Sequence, residues 1–122
     1  MKKGIISVWL LLCFSPCFAE WVRVYDDFYF DPASIKRTGD ISRAWILQDK
    51  AGNEAPSIVT LREYNCREEK VRILQKEHYL KNMGAGEPLK ITPTQTEWVY
   101  INPMYVDHVV FEKACQPRVG RK

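Results

Sequence analysis

The chain has 122 residues, a length that accommodates one domain. Its hydrophobic fraction of 46% and charged fraction of 27% are ordinary for a globular protein. Nucleic-acid binding requires a clustered positive surface, whereas here the net charge is only +3 at pH 7 and basic residues alternate with Glu and Asp. A nucleic-acid partner is therefore not expected.

The first 19 residues have the three parts of a secretory signal peptide. Two lysines precede an apolar stretch of ten residues, 5–14, and a Ser-Pro break precedes Cys17-Phe18-Ala19. Cleavage is predicted between Ala19 and Glu20. The alternative is a membrane anchor, but a spanning helix needs about 20 apolar residues, so no membrane span is expected after processing.

Lipidation at one of the two leader cysteines is a further alternative. Bacterial lipidation requires a small residue immediately before the cysteine, but Leu12 precedes Cys13 and Pro16 precedes Cys17. An unlipidated mature chain, Glu20–Lys122, is therefore expected, and removal of two lysines lowers its net charge from +3 to +1.

Two cysteines remain in the mature chain, Cys66 and Cys115. An even number of cysteines in an exported protein favours a disulfide, with two free thiols as the alternative. A cross-link closing a loop of about 50 residues would stabilise this small domain by roughly 4 kcal/mol.

The first half of the mature chain reads as three strands separated by turns. Apolar and polar residues alternate, and aromatic and β-branched residues are frequent. Asp31 and Pro32 begin one helical turn, as N-cap and first helical residue, and Gly39 supplies positive φ in a turn. The predicted strands are Trp21–Tyr25, Phe28–Asp31 and Ile41–Asp49.

The stretch Ser57–Leu80 is predicted to be a hairpin of two long strands. Its turn is 67–70, with Cys66 just before it. A helix over Glu68–Tyr79 is the alternative, because Glu, Lys, Gln and Leu are good helix formers. Neither face of Ile41–Asp49 is purely polar, which indicates a sheet that is covered on one side and partly covered on the other, by a loop or by a second subunit. Both faces of the hairpin strands mix apolar and polar residues in the same way.

The C-terminal part is predicted to end in a helix. A glycine-containing loop, 81–88, and an irregular segment, 91–96, precede a short strand, Trp98–Ile101. Asn102 and Pro103 have the residue types of an N-cap and a first helical residue. Apolar residues then recur at helical spacing over about three turns to Cys115. Residues 117–122 are expected to be a disordered tail.

No catalytic, cofactor-binding or metal-binding residues are predicted. His78 and His108 lie in different elements without the ligand spacing of a zinc site, and the mature cysteines do not form a Cys-x-x-Cys pair. Asp107 cannot orient the adjacent His108 on a helix, whereas His108 and Glu112 form an ordinary i,i+4 pair. The signal that remains is the abundance of aromatic residues, because those on an uncovered sheet face would mark an association surface.

The order of several short motifs resembles the surface-adhesin protein E family of Gram-negative bacteria. The resemblance spans nearly all of the mature chain, and its motifs are specific in combination. They are Trp21-Val22, Tyr29-Phe30-Asp31-Pro32-Ala33-Ser34-Ile35, Gly39-Asp40-Ile41-Ser42-Arg43-Ala44-Trp45, Tyr64-Asn65-Cys66, Asn82-Met83-Gly84-Ala85-Gly86, Trp98 and Ala114-Cys115.

The resemblance implies an α+β fold, with an antiparallel sheet of about six strands and a C-terminal helix packed on one face and tied by a disulfide. Some members of the family bind host extracellular-matrix proteins, and dimers through the sheet occur. The chain is therefore expected to comprise a signal peptide, 1–19, an adhesin-E-like domain, 20–116, and a tail, 117–122.

The resulting hypothesis is an exported, non-enzymatic binding module in the periplasm or at the cell surface. It associates with a protein partner, such as host extracellular matrix, through its sheet, and a homodimer through the sheet is also considered. The alternative is a periplasmic structural or inhibitor-like protein that binds an endogenous envelope partner, and a secreted enzyme is a third, weaker hypothesis.

Overall fold

An antiparallel sheet forms the framework of the computed structural model, which describes residues 20–52 and 55–116. Within these residues the sheet has eight strands and one α-helix packs on it. The strands are β1 (Val22–Tyr25), β2 (Phe28–Phe30), β3 (Lys36–Thr38), β4 (Ile41–Asp49), β5 (Ser57–Asn65), β6 (Lys70–Tyr79), β7 (Pro88–Pro93) and β8 (Val99–Tyr100), and the helix is α1 (Val106–Ala114).

Six strands follow one another across the sheet in the order β1-β2-β4-β5-β6-β7. The two short strands extend the edges, since β3 pairs with β4 beyond β2, and β8 pairs with β6 beyond β7. The predicted α+β fold with an antiparallel sheet, a C-terminal helix and a disulfide is confirmed. Strand β3 was not anticipated.

The long strands at the centre were predicted correctly. Strand β4 has the predicted bounds, and β5 and β6 form the predicted hairpin. Asn65 closes the turn, because its Oδ1 accepts hydrogen bonds from the backbone amides of Arg67 and Glu68. The helical alternative for Glu68–Tyr79 is wrong: β6 pairs with β5 on one side and β7 on the other, so tertiary pairing overrides local helix propensity.

The two faces of the sheet have different roles because side chains alternate along each strand. One face, here called the helix face, packs against α1 and forms the main core. The opposite face, here called the open face, carries Trp45, Leu61, Glu63 and Glu77. The main core contains Phe30, Ala44, Ile46, Tyr64, Val71, Val106, Val110 and Ala114.

A disulfide joins the hairpin to the end of the helix. Cys66 and Cys115 are bonded, with an S–S distance of 2.05 Å and a Cα–Cα distance of 5.4 Å. The structure thus contains the cross-link expected from the even cysteine number, and the free-thiol alternative does not apply to it. The bond fixes the C-terminal end of α1 beside the turn that follows β5.

Two local predictions near the C-terminus were wrong. The helix begins at Val106, not at Pro103, because Asn102 caps a separate turn: its Oδ1 accepts the amide of Met104, and its carbonyl accepts the amide of Tyr105. The segment 91–96 was expected to be irregular, but its first half, 91–93, belongs to β7. Pro88 and Pro93 are tolerated there because they stand at the ends of an edge strand.

Some predictions fall outside the described residues. The signal peptide, 1–19, including Ala19 at the predicted cleavage site, and the predicted tail, 117–122, belong to this group. Within residues 20–52 and 55–116, α1 is too short and too polar to cross a membrane.

Candidate functional site

Asp107 serves as a structural anchor between the helix and the sheet. Arg62 Nη1 lies 2.9 Å from each of its carboxylate oxygens, and the Tyr64 hydroxyl donates to its Oδ1 at 2.8 Å. Tyr64 is fully buried, and burial, followed by the nearby negative charge of Asp107, raises the pKa of its hydroxyl well above 10.0. All three residues therefore lock α1 onto the helix face.

The remaining candidates for acid–base or metal chemistry stay apart. His108 Nε2 lies 3.3 Å from Glu112 Oε2, as predicted for an i,i+4 pair, while His78 belongs to β6. No group of three or more His, Cys, Asp or Glu side chains within residues 20–52 and 55–116 is arranged to hold a metal ion.

A buried glutamate organises one end of the open face. Glu63 is 4% exposed, and its carboxylate joins Arg43 Nε at 2.9 Å to Arg72 Nε at 2.8 Å. The Arg72 guanidinium in turn stacks 4.4 Å from the centre of the Trp98 ring. This network covers the strands beside the hairpin turn. The open face is therefore covered at this end by charged and aromatic side chains in fixed positions.

The other end of the open face contains an open groove of about 510 Å³. Its floor is the sheet and one wall is the loop that follows β6. Aromatic and small apolar residues dominate the surface, together with two carboxylates. The groove is lined by Trp21, Asp31, Trp45, Val59, Glu77, Tyr79, Met83, Gly84, Ala85 and Gly86.

Two buried polar residues of the sheet hold this loop wall in place. Asp49 Oδ1 accepts hydrogen bonds from Asn82 Nδ2 at 3.0 Å and from the Met83 amide at 2.8 Å. Burial alone would raise the pKa of Asp49, but these hydrogen bonds outweigh it and lower the pKa below 3.8. The Ser57 hydroxyl donates to the Lys81 carbonyl at 2.6 Å and accepts the Gly84 amide at 2.9 Å.

The close approach of the loop to the sheet depends on Gly84. Gly84 has a φ of +63°, and a Cβ there would lie 3.1 Å from Cγ2 of Val59. Gly84 therefore allows the loop to approach the sheet closely enough to cover Val59 and Leu47, which are almost completely buried. The loop and sheet together make a second, smaller apolar cluster under the groove.

Hydrogen bonds preorganise the polar side of the groove. The Tyr79 hydroxyl donates to Glu77 Oε1 at 2.7 Å, and Gln75 Nε2 donates to Glu77 Oε2 at 2.9 Å. Burial, together with the hydrogen bond to Glu77 and the charges of Glu77 and Glu87, raises the pKa of Tyr79 to about 12. The phenol therefore remains neutral and the carboxylate keeps a fixed orientation.

Sequence reasoning anticipated part of this site. The abundance of aromatic residues indicated an association surface, and Trp21 and Trp45 do line the groove. It missed the contributions of Glu77 and Tyr79, because placing them beside Trp45 requires the register between β4, β5 and β6. The predicted disulfide residues, Cys66 and Cys115, lie together but do not line the groove.

The fold is shared with solved structures of protein E from Haemophilus influenzae. Crystal form II of that protein has a TM-score of 0.64 at 15% identity, over 82% of this chain and 90% of that chain. A selenomethionine form gives 0.62 at 14% identity, over 82% and 88% of the two chains. Protein E from a non-typeable strain gives 0.58 at 14% identity, over 80% and 76%.

At this level of identity the structural likeness establishes the fold alone. No curated protein sequence matches the chain. Residues 21–116, however, match the family described as surface-adhesin protein E. The chain therefore belongs to the surface-adhesin protein E family.

Proposed function

We propose that the chain is an exported, non-enzymatic adhesin that binds a host extracellular-matrix protein through the groove on its open face. Family membership makes it an adhesin-type module that binds a partner protein and favours this function over the endogenous structural or inhibitor-like alternative. The observation that carries the choice of surface is the groove lined by Trp21, Trp45 and Tyr79 on the face away from α1.

The composition of the groove suits protein recognition. Aromatic residues provide much of the binding energy at protein interfaces. Trp45 of β4 and Tyr79 of β6 are held in position because both strands pair with β5. Ile91, on the adjacent edge strand, is 51% exposed and pairs with Glu77 in the floor. It extends the apolar surface beyond the groove.

Both carboxylates of the groove are already held by hydrogen bonds within the protein. Asp31 Oδ1 accepts the Ala33 amide at 3.1 Å. The carboxylate of Glu77 is engaged by two neutral donors, which supports a role in recognition.

Binding to immobilised extracellular-matrix proteins, measured by surface plasmon resonance, tests the proposal. We expect micromolar or tighter binding and a loss of about tenfold or more for Trp45→Ala, since a central aromatic residue of an interface typically contributes about 2 kcal/mol. Met104→Ala is the control, because Met104 is 79% exposed but does not line the groove. No retention of the purified protein at micromolar concentration would contradict the proposal.

The compartment is part of the same proposal. Family membership supports an exported protein, and we propose processing between Ala19 and Glu20, followed by residence in the periplasm or at the cell surface. Mass spectrometry of the mature N-terminus tests the processing, and protease treatment of intact cells separates surface from periplasm. A homodimer through the sheet stays a prediction.

A further inference from the structure

The two carboxylates of the groove lie at separate positions along it. Asp31 follows β2, where its amide donates to the Trp45 carbonyl, and Glu77 lies on β6. Strands β4 and β5 separate them, which gives three strand spacings of about 4.8 Å. Asp31 is level with Gln75 of β6, so Glu77 also lies two residues, about 7 Å, further along the strand, and the two residues are roughly 16 Å apart. No arginine or lysine occurs among the described residues that line the groove. Both ionisable carboxyl side chains of the lining are therefore unopposed by a basic residue within the lining itself.

Both carboxylates keep acceptor positions for a ligand. A carboxylate has about four lone-pair positions. Asp31 uses Oδ1 for the Ala33 amide, and Glu77 uses one position on each oxygen for Tyr79 and Gln75. These bonds fix the orientation of the carboxylates and leave capacity for a further donor.

Aromatic rings accompany each carboxylate. Trp21 and Trp45 line the groove with Asp31, and Tyr79 is hydrogen-bonded to Glu77. Aromatic faces attract cations, and a carboxylate nearby supplies the opposite charge. The raised pKa of Tyr79, caused by burial and by the hydrogen bond and charge of Glu77, agrees with a negative potential at that end.

We propose that the groove binds arginine or lysine side chains of an extended segment of the partner protein. This inference rests on the proposed protein-binding function and adds the chemistry of the ligand. In an extended chain, side chains four residues apart point to the same side and are separated by about 13 Å. That spacing is about 3 Å shorter than the separation of Asp31 and Glu77, a difference that long, flexible arginine or lysine side chains can span, so the segment carries basic residues at positions i and i+4.

Peptide titration with the tryptophan fluorescence of the intact mature protein as readout tests this inference. The probes are two nine-residue Gly/Ser peptides with blocked ends, one with arginine at positions 3 and 7 and the other with citrulline there. Citrulline retains the shape of arginine but is neutral. We expect the arginine peptide to bind about tenfold more tightly, because each guanidinium is attracted both by an aromatic ring and by a carboxylate, whereas neutral citrulline is not.

Charge-neutralising variants localise the effect. Glu77→Gln and Asp31→Asn should each weaken binding of the arginine peptide by roughly threefold to fivefold, and Asn at position 31 still caps the following turn. Glu112→Gln is the matched control, since it removes the same charge from the exposed side of α1. Circular dichroism checks that each variant is folded.

Equal binding of the two peptides, or a loss with Glu112→Gln as large as with Glu77→Gln, would overturn the inference. Failure of the proposed function has a different signature: the arginine preference persists while no matrix protein is retained. A third outcome is also distinct: the matrix protein binds, Glu77→Gln and Asp31→Asn do not weaken that binding, and the arginine peptide is not preferred. That outcome supports the adhesin function and contradicts the inference that the ligand is basic.

Discussion

At the residue scale, polar side chains on the helix face act as connections between elements. Arg62 and Tyr64 lie on the same side of β5, among core residues, and both contact Asp107 of α1. The sequence showed that this face mixes polar and apolar residues. It could not show that Asp107 is the partner of Arg62, because the two residues are 45 positions apart and meet only when the helix packs on the sheet.

Replacing Asp107 should therefore weaken the fold. The Arg62 and Asp107 side chains are each 15% exposed, so Asp107→Asn leaves a largely buried guanidinium without a charged partner. We expect the free energy of unfolding to fall by roughly 2 kcal/mol in urea titrations. Glu112→Gln, which removes an exposed pair with His108, should change it by less than about 0.5 kcal/mol. Equal effects of the two substitutions would contradict a buried anchor at Asp107.

At the element scale, strands were more predictable than the segments between them. Strand β4 contains the strand-favouring residues Ile41, Trp45 and Ile46, and it pairs with β2 and β3 on one side and β5 on the other, so local pattern and tertiary pairing agree. The start of α1 was misplaced because Asn-Pro suits both a turn and a helix N-terminus, and here Asn102 caps the turn. The groove wall after β6 depends on Asp49 and Ser57, whose contacts are set by the fold.

Comparing Gly84 of the groove wall with Gly39, a glycine of the same backbone conformation in the turn between β3 and β4, distinguishes backbone strain from side-chain packing. Gly39 and Gly84 have φ values of +62° and +63°, but only a Cβ at Gly84 would meet another side chain closely, Val59 at 3.1 Å. Gly39→Ala should cost about 1 kcal/mol from backbone strain alone, and Gly84→Ala about 2–3 kcal/mol. Urea unfolding of both variants measures the difference. Equal costs would show that the loop does not press on the sheet.

At the scale of the whole molecule, the disulfide is a covalent link between the sheet and the end of the helix. It joins residues 49 positions apart and holds α1 against the hairpin. Its existence could be anticipated from two cysteines in an exported chain. The number of cysteines could not predict where the bond lies relative to the groove. The groove is on the open face of the sheet, and the bond joins the hairpin to α1 on the helix face.

Removing this bond should destabilise the protein without altering the groove directly. The double variant Cys66→Ser/Cys115→Ser should lose roughly 3–4 kcal/mol of unfolding free energy, because the unfolded chain regains the entropy of a loop of about 50 residues. Urea unfolding with and without a reducing agent measures the loss. Reductant should lower the stability of the native sequence and leave the double variant unchanged; an insensitive native protein would contradict a structural role for the bond.

The same bond also determines how the molecule would respond to pulling. A force applied at residue 116 enters Cys115, crosses the sulfur atoms to Cys66 and leaves through the N-terminal half of the chain. Residues 67–114, which include β6, β7, β8 and α1, lie inside the covalent ring and carry no tension. Of the described chain, only residues 20–66 would be extended by the force before a covalent bond broke. Extension would therefore stop at Cys66, just before the hairpin turn.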